Sequence, residues 1–154
     1  MPDGPRRLRI YADADVIMAA AGGDFYGAPN VLLVSANVAP ITFVCAETAV
    51  LESRRNVKEK VPQALPDLKE IIKRTLMRVP DPETDLEERF CALAGEKDAI
   101  HLATAVVYDC KYLVTYNEGD YQPGHPDVTV VSPGDLVKKL RATLSPAVFS
   151  EEIW

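Results

Sequence analysis

The stretch LRIYADADVIMAAAGG, residues 8–23, decides the fold. Leu8 to Ala12 is a short apolar run of the kind that forms a buried strand, and Asp13 at its end is a good helix cap. The run from Ala14 to Ala21 then predicts a helix that Gly22-Gly23 stop. A strand leading straight into a helix opens a β–α unit, and the pattern recurs along the chain. Pro29 to Val38 fits either state, since Val31 to Val34 favour a strand by residue type while Pro29 suits the first turn of a helix. Ile41 to Val44 predicts a second strand, followed by a helix from Cys45 to Lys60. On that helix Ala49, Val50 and Val57 share an apolar side, and Thr48, Glu52, Arg55 and Asn56 share a polar one.

Leu65, Leu68, Ile72 and Leu76 recur at helical spacing between Pro62 and Pro80, which predicts a helix over Pro62 to Thr75 and a short strand over Leu76 to Val79. Thr84 and Glu87 match a capping box, with Leu86, Phe90 and Leu93 as a core stripe and Gly95 as the stop. A helix over Asp98 to Asp109 and strands over Tyr112 to Thr115 and Val128 to Val131 follow. Ser132-Pro133-Gly134-Asp135 then opens a last helix carrying Leu136, Leu140 and Leu144. This alternation implies an α/β fold with a central, mainly parallel sheet covered on both faces. The domain is expected to span 8–144, between a short extension over 1–7 and an apolar tail over 145–154 that docks on its own domain or on a second copy.

At 154 residues and 47% apolar content, one domain with a sizeable core is the default. A net charge of -6 argues against a surface coated for duplex DNA, though not against a local basic patch. Cys45, Cys91 and Cys110 form no CxxC pair, and with only His101 and His125 beside them they make a poor zinc set. All three read as reduced core thiols. No apolar segment of membrane length or leader type occurs, so a cytoplasmic protein with no membrane partner is expected.

Asp13, Glu52, Asp98 and Asp120 each lie at or near an element boundary where the crevice of a parallel sheet would gather them. Carboxylates so gathered suit hard divalent cations, which take oxygen ligands. Each also has a plainer reading. Asp13 and Asp98 can be simple helix caps, each contributing about 1 kcal/mol, and Glu52 an ordinary surface residue.

Four segments in order resemble PIN-domain nucleases: Arg9-Ile-Tyr-Ala-Asp13-Ala-Asp15-Val16, Glu47-Thr-Ala-Val-Leu-Glu52-Ser-Arg-Arg-Asn56, Lys97-Asp98-Ala-Ile-His101-Leu-Ala-Thr-Ala105, and Tyr112-Leu-Val-Thr115-Tyr-Asn117-Glu-Gly-Asp120-Tyr121. The resemblance covers residue 8 to about residue 132. It implies a three-layer α/β/α fold, a helix over Pro29 to Val38, and Mg²⁺- or Mn²⁺-dependent cleavage of single-stranded RNA. Kinship with VapC-like toxins is implied too, with an antitoxin protein as partner and a homodimer as the assembly. Asp13, Glu52 and Asp98 match the family's three central acidic ligands.

The last motif departs from the family, with Asn117 where many members carry a carboxylate and Asp120 three positions later. Asn117 can coordinate by its amide oxygen or hold a water, while Asp120 can supply charge, with Gly119 giving the loop freedom to turn it back. Asp15 and Thr115 are candidates to support the ligands from behind. Arg54, Arg55, Lys58 and Lys60 follow Glu52 closely and can hold phosphates, or form a solvated helix face. Tyr116 and Tyr121 can stack a base or pack a loop. His101 reads as packed, and Glu47 as a surface residue. Two rivals stand beside the nuclease. One is a haloacid-dehalogenase-like phosphatase with Asp13 as nucleophile and Asp15 as general acid, although Ile17 departs from its motif. The other is an inactive PIN scaffold that binds RNA or protein.

Overall fold

A computed structural model describes residues 7–23, 27–37 and 39–148, with side chains through residue 142. Five parallel strands form one sheet in the order β3-β2-β1-β4-β5. They are β1 (Leu8–Ala12), β2 (Ile41–Ala46), β3 (Leu76–Val79), β4 (Tyr112–Val114) and β5 (Thr129–Val131). The registers pair Ile10 with both Phe43 and Tyr112, so the first strand in sequence lies at the centre. Successive β1 side chains point to opposite faces, and each face is sealed by its own core. Ile10 and Ala12 join Phe43, Cys45, Val114 and Val131 on one side, while Tyr11 joins Val44, Ala46 and Leu113 on the other.

The first face is covered by α1 (Ala14–Gly22), α2 (Ala28–Ser35), α3 (Glu47–Lys60), α4 (Leu65–Thr75) and α7 (Pro133–Val148). The second is covered by α5 (Thr84–Phe90) and α6 (Ala99–Val107). Three α/β/α layers result, as the sequence implied. The chain leaves β1 toward β2 and β3, then crosses back to place β4 on the other side of β1. The reversal opens a crevice at the carboxyl ends of β1 and β4, just beyond the buried Ala12 and Val114.

Several elements differ from the sequence-based expectation. Of the ambiguous stretch from Pro29, the residues through Ser35 are helical, with Pro29 in the first turn, so the strand alternative falls away for them, while Val38 lies outside the described residues. β2 continues two residues past Val44, because Cys45 and Ala46 still pair with Arg78 and Val79, and α3 starts only at Glu47. The expected helix from Pro62 begins as a 3₁₀ turn over Pro62–Ala64. The capping box at Thr84 does not form: Glu83 takes the cap position without a side-chain bond, and the helix ends at Phe90, well before Gly95. Cys45 and Cys110 are buried, but Cys91 is exposed rather than part of the core. α7 continues to Val148, and the tail from 149 onward, like the extension through residue 6, lies outside the described residues. Among the described residues no helix is long and apolar enough to cross a membrane.

Candidate active site

Asp13 leaves the centre of the sheet at the crevice. Its backbone N–H still bonds Val114 O at 3.1 Å, so the residue continues the β1–β4 ladder before the chain turns into α1. The carboxylate caps α1 as expected, with Oδ1 accepting from Ala14 N at 2.7 Å. It does more than cap. Oδ2 accepts from Thr115 Oγ1 at 2.9 Å and from Tyr121 OH at 2.8 Å, and only 7% of Asp13 is exposed. Burial and the Asp13 charge hold the Tyr121 phenol far above its usual range, so it stays a donor. Tyr121 is therefore a buried partner of Asp13, and base stacking by this residue is ruled out. His101 is packed, as its sequence context suggested, with Nε2 3.9 Å from Asp13 Oδ1 and Nδ1 2.6 Å from Tyr11 OH.

Asp15, in the first turn of α1, ties the helix to the loop after β4. Its Oδ2 accepts from Tyr116 N at 3.0 Å and Asn117 Nδ2 at 2.9 Å. Thr115 has one hydroxyl proton, and its distance to Asp15, 3.3 Å, is the longer of its two carboxylate contacts. Oδ1 of Asp15 is buried without a partner, alone in this among the described side chains. Burial, followed by the charge of Asp13, pushes the Asp15 carboxyl up to about 6. Asn117 thus spends its amide nitrogen on Asp15, which leaves its oxygen for any other partner.

Asp98 stands at the cap position of α6, but its side chain makes no cap bond. The cap reading fails for this residue, and its carboxylate is left facing other carboxylates. Burial raises its pKa first, then the charge of Asp13; Asp120 and Glu52 raise it further, with His101 opposing them. Four acidic residues from four different segments therefore bear on one place. Asp120 is exposed on a 3₁₀ turn over Glu118–Tyr121, anchored by its carbonyl to Gly95 N at 2.8 Å. A Cβ on Gly95 would stand 3.5 Å from Asp98 Oδ2 and 3.6 Å from that carbonyl, ordinary contact distances, so the approach of the two loops does not depend on the missing side chain. Gly119 is not in the left-handed region, and the freedom expected of it is not used; Gly124 alone among the described glycines has a positive φ. Glu52 is half-buried on α3. As the side chains stand, no three His, Cys, Asp or Glu among the described residues are gathered tightly enough to hold one ion. The donor set itself, carboxylate oxygens with an unpartnered buried Asp15 oxygen behind them, has the chemistry a hard cation takes.

The cations lie further out. Arg54, Arg55, Lys58 and Lys60 are exposed on α3. Arg54 lines a groove of about 640 Å³ between α3 and α4, rimmed also by Lys69, Lys73 and Arg78. Glu47 is a surface residue engaged with Arg78, its Oε2 accepting from Nε at 3.1 Å. Tyr116 is 53% exposed beside Asp15, available for stacking as the sequence allowed. Sequence reasoning gave no role to Tyr11, which lies in the first quoted segment but reads there as one more residue of an apolar strand.

No family model matches the sequence, and a search of curated proteins finds no match. Solved structures do match. VapBC2 from Rickettsia felis, bound to a DNA fragment from its promoter, has a TM-score of 0.61 at 15% identity, over 81% of this chain and 98% of that one. A toxin–antitoxin complex from Klebsiella pneumoniae gives 0.60 at 22%, over 80% and 97%. VapC20 from Mycobacterium tuberculosis, a sarcin–ricin loop cleaving toxin, gives 0.52 at 15%, over 68% and 86%. At these identities the likeness is one of fold, and the chain has the PIN-type α/β/α fold that its motifs resemble. Nothing in this likeness favours the phosphatase.

Proposed function

We propose that the protein is a divalent-metal-dependent endoribonuclease acting on single-stranded RNA, and the toxin of a cytoplasmic toxin–antitoxin pair. The observation that carries this reading is the Asp13 carboxylate held by Ala14, Thr115 and Tyr121 at the sheet's reversal point, with Asp13, Asp120 and Glu52 each near enough to push the Asp98 carboxyl up. The toxin–antitoxin neighbours by fold support it. Asp13, Glu52 and Asp98 would hold Mg²⁺ or Mn²⁺, with Asp120 adding charge and Asn117 orienting a water through its amide oxygen. When bound, such an ion polarises a phosphate oxygen and lowers the pKa of water.

The chain's own residues supply the remainder. Thr115, Tyr121 and Ala14 fix both oxygens of Asp13, so that carboxylate is aimed before any substrate arrives. Asp15 holds the loop that carries Asn117 and Tyr116 against α1. Tyr116 stacks a base, and Arg54, Arg55 and Lys58 contact phosphates along α3. The decisive experiment is cleavage of end-labelled RNAs by the purified protein with Mn²⁺, against Asp98→Asn and Asp13→Asn. Both variants should lose cleavage. Activity that survives excess EDTA, or that the variants keep, would sink the proposal.

A further inference from the structure

We infer that Tyr11 and His101 form a positioning pair that aims a ring N–H at the Asp13 carboxylate. The inference deepens the nuclease reading and rests on it for its functional half. Tyr11 is 0% exposed in the central strand, and its hydroxyl has two partners: Ala46 N–H, which donates to it at 3.3 Å, and His101 Nδ1 at 2.6 Å. The phenol proton must find an acceptor, since a buried donor left without one has lost its water and gained nothing in return. The backbone N–H cannot accept it, so it goes to Nδ1. Burial keeps the phenol protonated, with its pKa well above the usual value.

With Nδ1 occupied as an acceptor, the ring proton sits on Nε2. That atom lies 3.9 Å from Asp13 Oδ1, beyond a formed hydrogen bond but close enough for the dipole to act in a dry site. The opposite tautomer would set a lone pair against the carboxylate and leave the phenol proton without a home. Both halves of the argument select the same ring state. The position of His101 in the chain adds the consequence for the site. His101 lies on the first turn of α6, with its backbone N–H bonded to Asp98 O at 3.1 Å. Pinning the ring to β1 through Tyr11 therefore fixes the turn that carries Asp98 opposite Asp13.

The test reads the ring directly. Long-range ¹H–¹⁵N spectra of the full chain, with the His101 signal assigned by His125→Gln, should show a single tautomer protonated at Nε2. Protonation at Nδ1, or an average of two tautomers, overturns the inference. Tyr11→Phe should release the tautomer and weaken Mn²⁺ binding, measured calorimetrically without RNA, by about 10–100-fold. His101→Gln, whose amide can accept on one end and donate on the other, should bind more tightly than His101→Leu. Unchanged Mn²⁺ affinity in Tyr11→Phe, with the fold intact by circular dichroism, overturns the positioning role. If wild-type protein neither binds Mn²⁺ nor cleaves RNA, the nuclease reading fails and the positioning role with it, while the spectrum still decides the ring state.

Discussion

Asp13 accepts on both oxygens, and this decides what an amide can do in its place. Asparagine is a good helix cap, so a plain cap would tolerate Asp13→Asn. Here the amide nitrogen must either face Ala14 N–H, donor against donor, or face the Thr115 and Tyr121 hydroxyls, which then accept and have to turn their protons away from the acceptor they now use. Asp13→Asn is expected to lose about 1–3 kcal/mol in denaturant melts as well as cleavage. Asp15 makes a second expectation, and its sign follows from a raised carboxyl. The folded state holds the Asp15 proton up to about 6, the unfolded chain only to about 3.9. The contribution of Asp15 to stability is therefore fully present below the unfolded value and lost as pH rises through about 6. In EDTA, Asp15→Asn should flatten the fall in melting temperature between about pH 4 and about pH 6, the interval between the unfolded and folded values. The thiols separate equally clearly. Burial pushes Cys110 up to about 12 and Cys45 higher still, while Cys91 is exposed. A disulfide reagent at mildly alkaline pH should label Cys91 alone in native protein and all three cysteines in denaturant, as read by mass spectrometry. Asp13 was legible in the sequence because a carboxylate ending an apolar run is conspicuous. Tyr11, His101 and Tyr121 were not, because their role lies in polar tips whose bodies are ordinary core.

Helix α6 shows what an element can give up for a site. Its cap residue, Asp98, withholds the cap bond and faces like charges. Asp98→Asn should raise the melting temperature in EDTA, by relieving repulsion, while abolishing cleavage; a fall in both would return Asp98 to a structural role. At the other end of α6, Asp109 sits at φ 55, with Cys110 N–H bonding Ala105 O at 2.8 Å. That is a left-handed helix stop, so Asp109→Gly should be neutral or stabilising and Asp109→Val should lose about 1 kcal/mol or more in thermal melts. Most elements could be read from periodicity and breakers. The exceptions have local causes. The strand β2 outlasted its apolar run because Ala46 had a partner in Val79, which no single segment can reveal. The Thr84 pattern lost to a chain path that put Glu83 at the cap, since short motifs specify a bond only when the backbone enters at the right angle.

Across the molecule, the layer order was readable from the alternation of strands and helices, but the strand order was not. Which neighbour β1 takes on each side depends on the crossing between β3 and β4, and that crossing creates the site. The order puts the earliest strand in the middle of the sheet, flanked by β2 and by the much later β4. Asp13 meets its hydroxyl donors across sequence separations of 102 and 108 residues. During synthesis β1, α1 and β2 can therefore emerge and associate while Thr115 and Tyr121 have yet to be made. A nascent chain stalled or truncated before that point owns Asp13, Glu52 and Asp98 and still lacks the grip that aims Asp13. The topology thus works as a timer: the chain must be made through Tyr121 before the Asp13 carboxylate can be gripped from both sides.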